Sequence, residues 1–175
     1  MINSQGFSEE SLRKIAEQKV NYRRSVKIHW IVFLLVNILL FSINILTSGI
    51  YLDRLWAFYP LFAWFIGISM HSISYSLYAR GVYPMGKRGV IYHITAYLTV
   101  MLLLVVINML TLPSFYWVIY PAIFWGGGGV LLHIFVYNIY FKEKLTEKGE
   151  VKSRKERAIE KEMQKMRKRM EKQNQ

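Results

Sequence analysis

Four histidines, each set in an otherwise apolar run, are the residues of this chain whose type and spacing suit chemistry. His71 lies in YPLFAWFIGISMHSISYSLY, Tyr59 to Tyr78, and His133 in YPAIFWGGGGVLLHIFVYNIY, Tyr120 to Tyr140. His29 and His93 stand in VKIHWIVF and VIYHITAY. Neutral imidazole is a common ligand for zinc, copper and haem iron, and helix bundles build such sites from facing helices. His29, His71, His93 and His133 are therefore candidate ligands for haem or a transition metal. Trp64, Trp125, Tyr75 and Tyr137 can supply the aromatic surround a bis-histidine haem needs. Asp53 is the only acidic residue between Ile28 and Phe141, which argues against magnesium, calcium and carboxylate-bridged iron.

The competing reading makes each histidine an internal hydrogen-bonding residue that fixes helix pairing, with Tyr75, Tyr78, Tyr137, Tyr140 or another histidine as partner. Bonds of this kind contribute about 0.6 to 2 kcal/mol. A pair of histidines titrating with cytoplasmic pH is a third use. Hydrolytic and transfer chemistry is not expected: there is no cysteine, and Asp53 falls at the opposite end of the spans from the histidines.

The elements that must position these imidazoles are membrane helices. Of the 175 residues 53% are hydrophobic, yet the net charge is +12, and the two are segregated along the chain. Segments 26–47, 55–78, 90–111 and 115–140 each approach the roughly 20 apolar residues that cross a bilayer. Lys and Arg number six up to Lys27, one between spans one and two, three between two and three, none between three and four, and thirteen after the fourth. An excess of positive charge marks the cytoplasmic side, so both termini and the middle loop are expected there, in a multi-pass protein of the cell membrane. Tyr51, Trp56, Tyr59, Tyr116, Trp117 and Tyr120 fall near the outer ends of the spans, where interfacial rings belong.

The chain repeats itself. A shift of 64 residues lays Val26–Thr47 on Val90–Thr111, so that His29 meets His93 and INILT meets INMLT. In the second helix of each hairpin the shift is 61 at Pro60 and Pro121, then 62 from His71 and His133 onward, an insertion that the run Gly126, Gly127, Gly128, Gly129 can account for. The expected fold is thus an all-α membrane protein, a four-helix bundle made of a duplicated hairpin with a pseudo-two-fold axis along the membrane normal. Its parts are an amphipathic cytoplasmic helix (1–25), a first hairpin (26–80), a second (81–141) and a basic helical tail (142–175). Small and polar residues mark helix contacts in lipid, so Gly67, Ser69, Gly126 to Gly129, Asn37, Asn44 and Asn108 are the candidate packing positions.

A basic helix entering the span through His-x-x-x-aromatic, Asn near the end of the first helix, Pro-x-x-x-Trp followed by glycine and His in the second, and a charged exit helix (RAIEKEM, Arg157 to Met163) together resemble the 2TM domain family. The likeness covers about Ile15 to Met170 as two fused copies. It implies a two-helix membrane module of unassigned molecular function that occurs alone and attached to signalling proteins. Two departures stand in the second copy, Met101 for Asn37 and Ile94 for Trp30.

The cytoplasmic ends complete the reading. Ser8 followed by Glu9 and Glu10 makes a good helix start, and Leu12, Ile15, Ala16, Lys19 and Val20 recur at helical spacing, so this segment is expected to lie on the inner membrane surface with Arg23, Arg24 and Lys27 on anionic head groups. Ile159, Met163, Met166 and Met170 begin a heptad seam in the tail. Its lysines are interleaved with glutamates and lack a stacking aromatic, which disfavours nucleic acid. The expected function is a structural or sensory interaction module that assembles with itself or with a membrane protein partner, the rival being a haem- or metal-binding membrane protein.

Overall fold

The computed structural model describes residues 8–82, 85–145 and 151–173. The first seven residues of the expected N-terminal part, two of the second hairpin (83–84) and seven of the tail (146–150 and 174–175) lie outside the described residues. Four long helices, α1 (Glu9–Ser48), α2 (Phe58–Ala79), α3 (Met85–Thr111) and α4 (Ile119–Phe141), are followed by a two-stranded ribbon of β1 (Lys144–Leu145) and β2 (Val151–Lys152) and by α5 (Arg154–Gln173).

The amphipathic segment and the first span are one uninterrupted helix of 40 residues, which corrects the expectation of a separate surface helix. Ser8 begins it as expected, its Oγ accepting from the Ser11 N–H at 3.2 Å. No glycine or proline interrupts the run to Ser48, so nothing in the backbone forces a turn at the membrane surface. The half-buried positions Leu12, Ile15, Lys19 and Tyr22 keep helical spacing along this extension. Lys19 and Tyr22 turn toward the end of α2, where Lys19 Nζ caps the Ala79 carbonyl at 3.5 Å, Tyr78 donates to Gln18 Oε1 at 3.0 Å and Arg23 Nε donates to Tyr75 Oη at 2.8 Å. A cation at a helix C-terminus satisfies orphan carbonyls and complements the helix dipole.

Each hairpin turn is closed by one buried asparagine. Asn44 donates to the Arg54 carbonyl at 2.9 Å and accepts from the Ala57 N–H at 2.8 Å. Asn108 donates to the Leu112 and Phe115 carbonyls, both at 2.9 Å, and accepts from the Val118 N–H at 3.1 Å. Both residues were expected to mark helix contacts. What they bind is the backbone that leads into the next helix, with 0% and 2% of their surface exposed.

Helix α4 absorbs the inserted residue without breaking. Where α2 is α-helical over 22 residues, α4 runs 23 residues and widens to π-helix over Phe124–Leu131 and again over Tyr137–Phe141. A π turn closes its hydrogen bond one residue later than an α turn, so it takes up an insertion while keeping the helix continuous. The first π stretch contains all four glycines of the run.

Three helices, α1, α3 and α4, are long and apolar enough to cross a membrane. Helix α2 has 22 residues, about 33 Å at 1.5 Å per residue, and carries no Lys, Arg, Asp or Glu. Its Ser69, His71, Ser72, Ser74, Tyr75 and Ser76 make it less apolar than the others. The principal helix contacts follow chain order, α1 on α2, α2 on α3 and α3 on α4; the α4–α1 contact that would close a pseudo-two-fold bundle is not among them. The repeat-related positions differ in polarity: Tyr92 of α3 and Ser74 of α2 correspond to Ile28 and Val136, an apolar pair.

Truncating the asparagines should open the turns. We expect Asn44→Ala to cost about 2 kcal/mol and Asn108→Ala, which loses three bonds, about 3 kcal/mol. Thermal unfolding of the detergent-purified protein followed by circular dichroism measures both; variants that melt like the parent protein would show that the turns do not depend on the side-chain amides.

Candidate functional site: two histidine pairs

The four histidines form two separate pairs, one inside each hairpin. In the first, the rings of His29 and His71 stand 4.9 Å apart. His29 Nδ1–H donates to the Ser25 carbonyl, one helical turn earlier, at 2.8 Å. The Ser25 hydroxyl lies 3.4 Å from His29 Nδ1 and 3.4 Å from His71 Nε2, so it sits between the two imidazoles. The Tyr22 ring covers His71 at 5.3 Å and packs on Tyr75 and Tyr78 as well. Next to the pair in both helices, Trp30 Nε1 donates to Ser72 Oγ at 2.9 Å, and one turn further along α1 Phe33 meets Trp64 edge to face at 5.7 Å.

The second pair is in direct contact. Trp125 Nε1–H donates to His93 Nε2 at 2.9 Å, which leaves the proton of a neutral His93 on Nδ1. That Nδ1 lies 3.1 Å from Nδ1 of His133, so the bond runs from His93 to His133 and a neutral His133 carries its own proton on Nε2. Trp125 also meets Tyr97 edge to face at 5.7 Å, the geometry that Phe33 and Trp64 keep in the first hairpin. Tyr97 donates to the Ala122 carbonyl at 3.1 Å.

Glycines make room for these aromatic groups. A Cβ on Gly126 would stand 2.8 Å from Tyr97 Oη, and one on Gly129 2.6 Å from the Trp125 ring and 3.4 Å from His93 Nε2. On α3, a Cβ on Gly89 would stand 3.2 Å from His133 Nε2, and one on Gly86 2.8 Å from the Phe141 ring. A Cβ on Gly67, Gly127 or Gly128 would meet no atom within 4 Å, so close helix approach is not what these three provide.

Several expected partners are engaged elsewhere. Tyr75 bonds Arg23 and Tyr78 bonds Gln18, while Tyr137 and Tyr140 pack on Phe141. The partners found are Ser25, Trp125 and the paired histidines. Ser25 was detectable from its i, i+4 spacing to His29; Trp125 was singled out for an aromatic surround and instead supplies a donor. Asn37 donates to the Phe33 carbonyl at 2.7 Å, and its Oδ1 is buried without a partner among the described residues.

A haem held between two imidazoles needs an iron about 2 Å from each nitrogen, hence roughly 4 Å between them, whereas the Nδ1 atoms of His93 and His133 are at hydrogen-bonding distance. No group of three or more His, Asp and Glu side chains assembles among the described residues. In the second pair the imidazoles bond across helices.

The family model described as the 2TM domain matches the chain twice, over residues 14–81 and 85–164. No curated protein and no solved structure matches.

The two pairs differ in how much depends on them. His93→Ala strands the Trp125 N–H and His133 Nδ1, and we expect a loss of about 2 kcal/mol; His29→Ala removes an exposed ring that bonds its own helix and should cost less than about 1 kcal/mol. Equal losses in thermal unfolding would show that the pairs are energetically equivalent.

Proposed function

The chain belongs to the 2TM domain family and carries the domain twice, and from that premise we propose a non-enzymatic integral membrane module that crosses the bilayer four times, keeps both termini in the cytoplasm and works by assembling with itself or with a membrane partner. The observation that carries this reading is where the intramembrane polar groups go. Asn44 and Asn108 hold turns, Ser25 reaches His71 across the first hairpin, and His93 bonds Trp125 and His133 across the second, so these polar side chains serve helix pairing while the serines, threonines and Asn37 bond mostly within their own helices. In lipid, where apolar faces give helices little reason to associate, such bonds decide which helices pair.

Two further features support the topology. Helix α2 is long enough to cross, and the Lys and Arg residues concentrate at both chain ends and in the middle loop, in keeping with cytoplasmic exposure. Beyond the spans, Ser153 Oγ accepts from the Glu156 N–H at 3.1 Å to start α5, on which Ile159, Met163, Met166 and Met170 remain exposed. That row is the face we assign to assembly, a short apolar seam flanked by charge.

The absence of cysteine makes the topology directly testable. In whole cells a membrane-impermeant maleimide should label Ile50→Cys and Ser114→Cys, but Ser8→Cys, Arg80→Cys and Glu171→Cys only after permeabilisation. Labelling of Arg80→Cys from outside would mean that α2 does not cross. Protein expressed with haem and metals supplied should show no Soret band and only substoichiometric metal. A Soret band lost in His71→Ala and His133→Ala would replace this reading with a redox protein.

A further inference from the structure

The two copies differ most beside the histidines. The 64-residue shift that pairs His29 with His93 also pairs Tyr22 with Gly86 and Ser25 with Gly89. In the first hairpin the Tyr22 ring covers His71 and the Ser25 hydroxyl reaches it. In the second both side chains are missing. Phe141 swings against Gly86 from the other helix, but space remains between it and the histidines: a cavity of about 690 Å³ bordered by Gly89, Gly128, Gly129, His93, His133 and Leu132. That volume falls within the roughly 300 to 1,000 Å³ of small-molecule sites.

The chemistry of the walls is uneven. Leu132 and Val136 at the rim are exposed, so the cavity is continuous with the apolar surface of α4. His133 Nε2, which carries the proton in the chain Trp125 to His93 to His133, has no protein acceptor among the described residues and borders the cavity at Gly89. Toward the cytoplasmic end lies Lys155, its Nζ 5.4 Å from the centre of the Phe141 ring. There a second cavity of about 590 Å³ adjoins the first and shares Met85, Gly86, Phe141 and Lys155 with it. Lys87, Lys142 and Lys155 line this outer cavity against Glu143 and Glu156, which leaves one net positive charge.

We propose that the second hairpin binds one anionic lipid of the cytoplasmic leaflet, with an acyl chain along Gly128, Gly129 and Leu132, an ester or head-group oxygen accepting from His133 Nε2, and the anionic head beside Lys155. The proposal rests on the membrane reading above. The first hairpin cannot hold a lipid in the same way, because Tyr22 and Ser25 already occupy the corresponding space. The orientation is set by charge: the apolar wall is continuous with the membrane face and the lysines stand at the water end.

Native mass spectrometry of the full chain, extracted from the membrane fraction and titrated with phosphatidylglycerol, phosphatidylcholine or glycerol 3-phosphate, tests it. We expect one phosphatidylglycerol per chain, retained about tenfold better than phosphatidylcholine, and no saturation by glycerol 3-phosphate. Gly128→Leu, whose new side chain meets no neighbouring atom at its Cβ, should lower retention about tenfold while leaving the melting temperature unchanged. Gly67→Leu, equally unobstructed in the first hairpin, should bind like the parent protein, and Lys155→Gln should erase the preference for the anionic head. Equal retention by Gly128→Leu and the parent, or equal affinity for the two lipids, overturns the proposal; saturation by glycerol 3-phosphate would make it a soluble-phosphate site instead. Recovery of the chain in the soluble fraction would overturn the membrane reading itself, whereas membrane-extracted protein that retains no lipid overturns only the site.

Discussion

Each hairpin depends on one buried side-chain amide. A chain that turns back at the edge of the hydrocarbon leaves backbone donors and acceptors that the helices on either side do not satisfy, and each buried group without a partner is costly there. An asparagine side chain offers both a carbonyl oxygen and an NH₂ group, so one residue can serve both kinds of orphan. Asn44 and Asn108 do this at matched places in the two copies, the last of them for three backbone groups. Helix pairing away from the turn follows from that closure, because fixing the turn sets the register in which Phe33 meets Trp64 and Tyr97 meets Trp125.

Much of this was legible in the sequence because it lies in repeats and runs. The 64-residue shift located both hairpins, and Ser8 with its two following glutamates located the start of α1. What escaped was decided by contacts between helices. Nothing local in the stretch Val20 to Val26 says whether the amphipathic segment bends onto the membrane; the structure keeps it straight because Gln18, Lys19 and Arg23 find partners on the last turns of α2. Likewise the identity of the histidine partners required knowing which face of α3 meets α4. The change of shift from 61 to 62 signalled an inserted residue, but sequence alone did not distinguish a broken helix from the π-widened one that is found.

Some of the differences between the copies fall on residues that touch one another. Trp30 and Ser72 bond one another in the first hairpin, and both are isoleucine, Ile94 and Ile134, in the second. Losing only the serine would have left an indole N–H without an acceptor in lipid, so the two changes belong together. The second hairpin has an indole donor of its own in Trp125, whose N–H goes to His93 rather than to a hydroxyl.

The same reasoning extends to the histidines. With Ser25 replaced by Gly89, His133 has no hydroxyl at hand, and it turns its Nδ1 to His93. Because Trp125 already occupies the Nε2 of His93, the direction of the whole chain is fixed, and the one hydrogen left over is on the far side of His133, toward the glycines. In the first hairpin the Ser25 hydroxyl stands between His29 and His71, and the Tyr22 ring covers His71. In the second, the helices are equally well paired but the network ends in a donor at an open, glycine-walled space. The first copy thus covers His71 with a tyrosine ring, while in the second His133 Nε2 faces a space walled by glycines.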